Sequence, residues 1–128
     1  MKKIETLAVD ENVRIDLCRI DRITEGLGGA GDDLIGDALE QIALGVNRLR
    51  LAARDGHFAT VEAEAARLSR LAEQLGLVSL AHVAADVSSC TRRRDGPALA
   101  ATLARVRRVT NRSLAELGTP DGPHDRPA

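Results

Sequence analysis

Aliphatic residues recur every three or four positions along most of this chain, and each run is cut short at a glycine. The clearest run lies in residues 58–75. At 100° per residue, Val61, Ala65, Leu68, Ala72 and Leu75 gather on one side of a helix. Ala66 points almost directly away from Leu68, with Glu62, Ser69, Arg70 and Glu73 around it. Gly76 follows, free to take the left-handed conformation that ends a helix. The expected helix buries one stripe and turns a charged face to water, with a small methyl at its centre.

Helical spacing continues on both sides. Val13, Leu17, Ile20 and Leu27 predict a first helix over residues 12–25, broken by Gly26, Gly28, Gly29 and Gly31. Asp32 or Asp33 is a ready N-cap for a second helix over residues 33–54. Its buried stripe is Ile35, Leu39, Ile42, Val46, Leu49 and Ala53, while Leu44 and Leu51 fall on the opposite side. Either the first helix covers those two leucines or they form a homodimer seam or docking ridge. Asp55-Gly56-His57 makes a turn into the central helix. Beyond Gly76, a helix over residues 78–93 buries Leu80, Val83, Ala84 and Val87, and Arg92, Arg93 and Arg94 complement its C-terminal dipole. Asp95-Gly96-Pro97 is the next turn, with Pro97 suited to the first helical position. A last helix to residue 117 buries Leu99, Leu103, Val106, Thr110, Leu114 and Leu117. Ile4, Leu7 and Val9 form an ambiguous lead-in, and residues 118–128, rich in Pro, Gly and Asp, read as a flexible tail.

Short connections between helices of similar length make neighbours antiparallel. The expected fold is therefore all-α, an up-down four-helix bundle with an additional N-terminal helix, in one domain over residues 1–117. Phe58 is the only aromatic, and Leu, Ala, Arg and Glu, all good helix formers, together outnumber Val, Ile and Thr. No apolar run reaches the roughly 18 residues of a membrane span, and the polar N-terminus is no signal peptide, so a cytoplasmic protein is expected. Cys18 and Cys90 stand singly, without metal-ligand spacing, and are expected to be reduced thiols with no zinc. Up to Ala66 there are 13 acidic and 8 basic residues, and beyond it 6 acidic and 10 basic. That asymmetry suits a polarised interaction surface but is too weak for a nucleic-acid binder.

The central helix resembles that of histidine phosphotransfer (HPt) domains, the four-helix-bundle carriers of multistep phosphorelays. The family helix carries His-x-Leu-Lys-Gly with a further Gly six residues on; the matching residues here are Ala66-Arg67-Leu68-Ser69-Arg70, then Gly76. Leu27-Gly28-Gly29, the Ala53-x-x-Gly56 turn and the Leu75-Gly76 hairpin extend the likeness over residues 15–117. The core Leu and the terminal Gly are kept, whereas the phosphoacceptor His, its Lys neighbour and the small Gly are replaced. The resemblance implies a non-enzymatic adaptor, without cofactor, that binds a response-regulator receiver or histidine-kinase domain. Its contact face is Glu62, Ala66, Arg67, Ser69, Arg70 and Glu73.

Other chemistry is sparse. Gly26 to Gly31 satisfies G-x-G-x-x-G, yet a helix precedes it and Asp32-Asp33 would repel phosphate, so an interhelical loop is expected. His82 lies opposite its helix's core stripe with Asp86 at i+4, either a weak surface pair or a substitute phosphoacceptor. His57 begins the central helix and His124 lies in the tail. The serines lack a base and an orienting partner, which leaves a hydrolase unsupported. Arg105, Arg108 and Arg112 form a basic stripe, either solvated or in contact with an acidic partner.

Overall fold

The computed structural model describes residues 12–118, and these are all-helical apart from short connections and an extended entry segment. The helices are α1 (Leu17–Leu27), α2 (Gly29–Arg54), α3 (Phe58–Leu75), α4 (Val78–Arg92) and α5 (Gly96–Gly118). α3 has the bounds expected from periodicity, and its whole predicted stripe is buried. It packs on α2 and α4; α5 packs on α4 and returns to α2, and α1 lies on α2. The interior is built from residues such as Ile42, Leu49, Val61, Leu68, Leu80, Val83, Val87 and Val106.

Three helix ends are closed by one backbone motif. After α2, His57 N–H donates to Ala52 C=O (2.9 Å) and Gly56 N–H to Ala53 C=O (3.2 Å). After α3, Leu77 N–H donates to Ala72 C=O (2.9 Å) and Gly76 N–H to Glu73 C=O (3.1 Å). After α4, Asp95 N–H donates to Cys90 C=O (3.1 Å) and Arg94 N–H to Thr91 C=O (3.1 Å). This paired 6→1 and 5→2 pattern is the Schellman motif, which satisfies orphan carbonyls by putting one residue in the left-handed region. That residue is Gly56 (φ 76°), Gly76 (φ 81°) and, against the usual preference, Arg94 (φ 56°). Asp95 then caps α5, its Oδ1 accepting from Ala98 N–H at 3.1 Å. Pro97 consequently occupies the second helical position rather than the expected first.

The N-terminal part departs most from the sequence reading. Residues 12–16 are not helical: Arg14 C=O accepts from Val78 N–H (3.0 Å) and Ser79 N–H (3.3 Å), and Asp16 N–H donates to Gly76 C=O (2.7 Å). The entry segment thus supplies the acceptor for the first α4 donors, whose N-cap residue Leu77 offers none from its side chain. Asp16 in turn caps α1, Oδ1 accepting from Arg19 N–H. The glycine run is nearly all helix, and the expected loop shrinks to Gly28. Gly31 is buried where α1 crosses α2; a Cβ there would lie 2.7 Å from Ile23 C=O and 2.9 Å from Thr24 Cα. That close approach lets α2 begin at Gly29, ahead of the aspartates expected to cap it.

At about 1.5 Å per residue, α2 (26 residues) is about 39 Å long, α3 (18 residues) about 27 Å and α1 (11 residues) about 16 Å. α2 and α3 share the turn at Asp55, so the first turns of α2 overhang α3, and α1 packs there through Gly31. It does not reach Leu44, which stays 49% exposed, while Leu51 is half-buried by other means. Leu17 and Leu27, expected to be buried, are more than half exposed, and Ile23 is the α1 residue packed against the core. On α5, Val109 and Ser113 join Leu99, Val106 and Thr110 inside, with Leu103, Leu114 and Leu117 partly buried. The lead-in at Ile4, Leu7 and Val9 and the tail beyond Gly118 lie outside the described residues.

Two glycine substitutions separate backbone strain from contact. A Cβ on Gly56 meets nothing within 4 Å, whereas one on Gly76 would lie 2.8 Å from Asp16 C=O and 3.1 Å from Asp16 Cβ. Gly56→Ala is expected to cost about 1 kcal/mol from the left-handed φ alone, and Gly76→Ala about 2–3 kcal/mol, since the entry segment must also move. Urea unfolding of the two variants measures the difference; equal losses would mean that the Asp16–Gly76 contact contributes nothing.

Candidate functional site

On one flank of α3's polar face, Ser69 and Glu62 reach α4. Ser69 Oγ donates to Ala81 C=O at 2.8 Å, and Arg92 Nη1 donates to Glu62 Oε2 at 3.1 Å. Residue numbers fall along α3 as they rise along α4, so the two helices are antiparallel. The two contacts bracket Ala66, whose methyl is half-buried rather than fully solvated, and lies outside the apolar core. The fully exposed position expected from helical geometry ignored the neighbouring helix. On the other flank, Arg67 Nη2 donates to Gln41 Oε1 on α2 at 3.4 Å, and its Nη1 is 3.9 Å from Glu64 Oε1. Arg70 and Glu73 are exposed. Glu62, Ala66, Arg67, Ser69, Arg70 and Glu73 therefore share one region, but two of its charges are held by partners on adjacent helices.

His82 comes to this region from α4. It is exposed, and with Asp16, Arg19, Ser69, Glu73 and Ala85 it lines an open groove of about 330 Å³. Arg19 Nη1 donates to the Glu73 carbonyl at 3.2 Å, and both residues line that groove. No hydrogen bond joins His82 to Asp86 among the described residues, so the i+4 spacing gives no oriented imidazole. His57 is exposed at the start of α3, makes no capping bond, and stands nine residues, or about 13 Å, along the helix from Ala66.

The remaining candidates are placed elsewhere. The glycine run forms a helix–helix junction with Asp32 in the first turn of α2, an arrangement unsuited to phosphate. Arg112 pairs with Glu116 at 3.2 Å, and Arg105 and Arg108 also have partners, so the α5 stripe is not a row of free cations. Cys18 is exposed and Cys90 buried, both as free thiols. Among the described residues, no cluster of three His, Cys, Asp or Glu side chains could hold a metal, and no helix is long and apolar enough to cross a membrane.

Sequence reasoning missed a second groove, of about 490 Å³, at the other end of the α3–α4 seam. Phe58, Ala59, Glu62, Arg92, Arg94 and Leu99 line it. The available signal was an aromatic residue directly after a turn, placed on no predicted core stripe.

No protein-family model, curated protein or solved structure matches this chain.

The bond from Ser69 Oγ is the one side-chain bond seen between the middle of α3 and the α4 backbone. Ser69→Ala is expected to cost about 1 kcal/mol in urea unfolding. A loss below about 0.3 kcal/mol would mean that water replaces the carbonyl contact without penalty.

Proposed function

We propose that this protein is an HPt-like adaptor that binds a receiver or histidine-kinase domain in a phosphorelay without carrying phosphate. In this reading α2 to α5 form an antiparallel four-helix bundle, and α1 is an addition that packs on the overhanging start of α2. The closed circuit of contacts among α2, α3, α4 and α5, with α3 and α4 antiparallel, supports it. The observation that carries the reading is Ala66, a methyl at the middle of the α3 face where an HPt domain would hold imidazole. Carbon offers no lone pair to a phosphoryl group. Arg67 and Arg70, beside Ala66, would meet the acidic pocket of a receiver by complementary potential, whereas Glu62 and Glu73 border them and restrict that contact to the arginine side of the face. Arg70 replaces a residue that is small in the family, so the partner would dock at a greater separation than phosphotransfer needs. A cytoplasmic location follows from such partners.

A second reading rests on His82. Its imidazole is exposed and lines the groove beside Ser69 and Glu73, within reach of a partner seated on the α3 face. It could accept a phosphoryl group from a receiver aspartyl phosphate, forming the N–P bond as the acyl O–P bond breaks.

One experiment separates the two. The protein is incubated with receiver domains phosphorylated on aspartate by acetyl phosphate. The adaptor reading expects saturable binding without acid-labile label on this chain, and Arg70→Glu to weaken binding about tenfold. Label that disappears in His82→Ala would establish the second reading, and no binding to any receiver or kinase domain would remove both.

A further inference from the structure

Gly56, Gly76 and Arg94 hold equivalent positions in three successive Schellman motifs, and only the third bears a side chain. A left-handed arginine carries backbone strain that glycine would relieve. The strain is localised at the lip of the larger groove, which Arg94 lines with Phe58, Ala59, Glu62, Arg92 and Leu99. Phe58, the chain's sole aromatic, is 52% exposed there. The two carboxylates of the groove are engaged: Glu62 pairs with Arg92 at 3.1 Å, and Asp95 Oδ1 caps α5 through Ala98 N–H. Arg93, next in the basic run, is turned to Ser89 Oγ (2.6 Å) and Cys90 Sγ (3.6 Å). The Arg94 guanidinium, by contrast, makes no hydrogen bond or ion pair with another described residue. An apolar floor, an exposed ring and one unmatched cation thus converge in a space of about 490 Å³.

We propose that this groove binds a small organic acid, its apolar body against Phe58 and Leu99 and its carboxylate on the Arg94 guanidinium. The volume falls within the roughly 300–1,000 Å³ of small-molecule sites. A guanidinium meets a carboxylate through two parallel charge-assisted hydrogen bonds, which gives the groove its selectivity for an anion. The assignment does not rest on the phosphorelay reading: Glu62 borders both surfaces, but the acid is held by Arg94, Phe58 and Leu99, none of which belongs to the α3 contact face.

The test uses naphthoate as the probe and neutral naphthylmethanol as its comparison, each titrated into the full chain and followed through the amide NMR signals of Ala59 and Leu99. Naphthoate is expected to bind saturably and at least about tenfold more tightly than naphthylmethanol. Arg94→Gly is expected to act in opposite directions on stability and binding, raising Tm by roughly 2–5 °C while weakening naphthoate at least about tenfold. Arg94→Gln should weaken naphthoate to the same degree without the gain in Tm. Phe58→Ala should weaken both probes, and as an exposed side chain it leaves the fold intact. The proposal is overturned if the parent protein shows no saturable shift, if Arg94→Gly binds naphthoate unchanged, or if the two probes bind equally. A response to an acidic peptide but not to naphthoate would likewise overturn the small-acid assignment.

Discussion

Val61, Ala65, Leu68, Ala72 and Leu75 are at most 5% exposed, and α2 and α4 close over this face of α3 from two sides. The two most extensive helix pairings, α3 with α4 and α3 with α2, follow from burying that stripe, and α5 then packs across α4 and α2. At about 0.8 kcal/mol per buried methylene, these side chains supply much of the drive to assemble the neighbouring helices. With one aromatic in the chain, and that one on the surface, the core cannot be filled by large rings. It is filled by close approach: Ala65 and Ala72 are fully buried, and Gly45 on α2 faces Leu68 Cδ1 at 3.8 Å from where a Cβ would stand. Small residues on facing helices are therefore part of the packing, and Ser69 beside Ala81 continues the pattern out to the surface.

Close approach makes the helix ends demanding, because buried N–H and C=O groups there need partners. The chain meets this largely with backbone. Schellman turns close α2, α3 and α4, and the Arg14 carbonyl serves the start of α4. Asp16 and Asp95 are the side-chain caps seen, at α1 and α5. The entry segment accordingly acts as a structural part of the α3–α4 hairpin, although the two are some sixty positions apart in the chain. It also builds one wall of the groove in which His82 sits, which links the architecture of the N-terminus to the candidate site.

Much of the site could be read in the sequence. Residues at Glu62, Ala66, Ser69, Arg70 and Glu73 share a face because helical period alone fixes their relative directions, and α3 is where the period placed it. What that period could not give is the height of the neighbouring helix. α4 runs beside Ala66, ties Glu62 to Arg92 and Ser69 to Ala81, and brings His82 into the same groove. Those are contacts between residues 12 to 30 positions apart, invisible to a local pattern. Phe58 shows the converse case: it belongs to no predicted core stripe, yet nothing local indicated that it would line a groove with Arg94 and Leu99 from beyond the end of α4.

The sequence by itself determined the all-helical class, the bounds and buried stripe of α3, and the turns at Gly56 and Gly76. These depend on periodicity and on a residue type that takes positive φ without cost, and both are local properties. Only the tertiary structure decided that residues 12–16 are extended, that Gly29 and Gly31 are helical, that Ala66 is half-buried, and that Arg94 takes the left-handed position two residues before Gly96. At each of these places the local alternatives differ by about 1 kcal/mol or less, or favour the conformation not adopted. Burial of α1 against Gly31, hydrogen bonds to the start of α4 and the Asp95 cap outweigh such differences, and no pattern in the neighbouring residues encodes them.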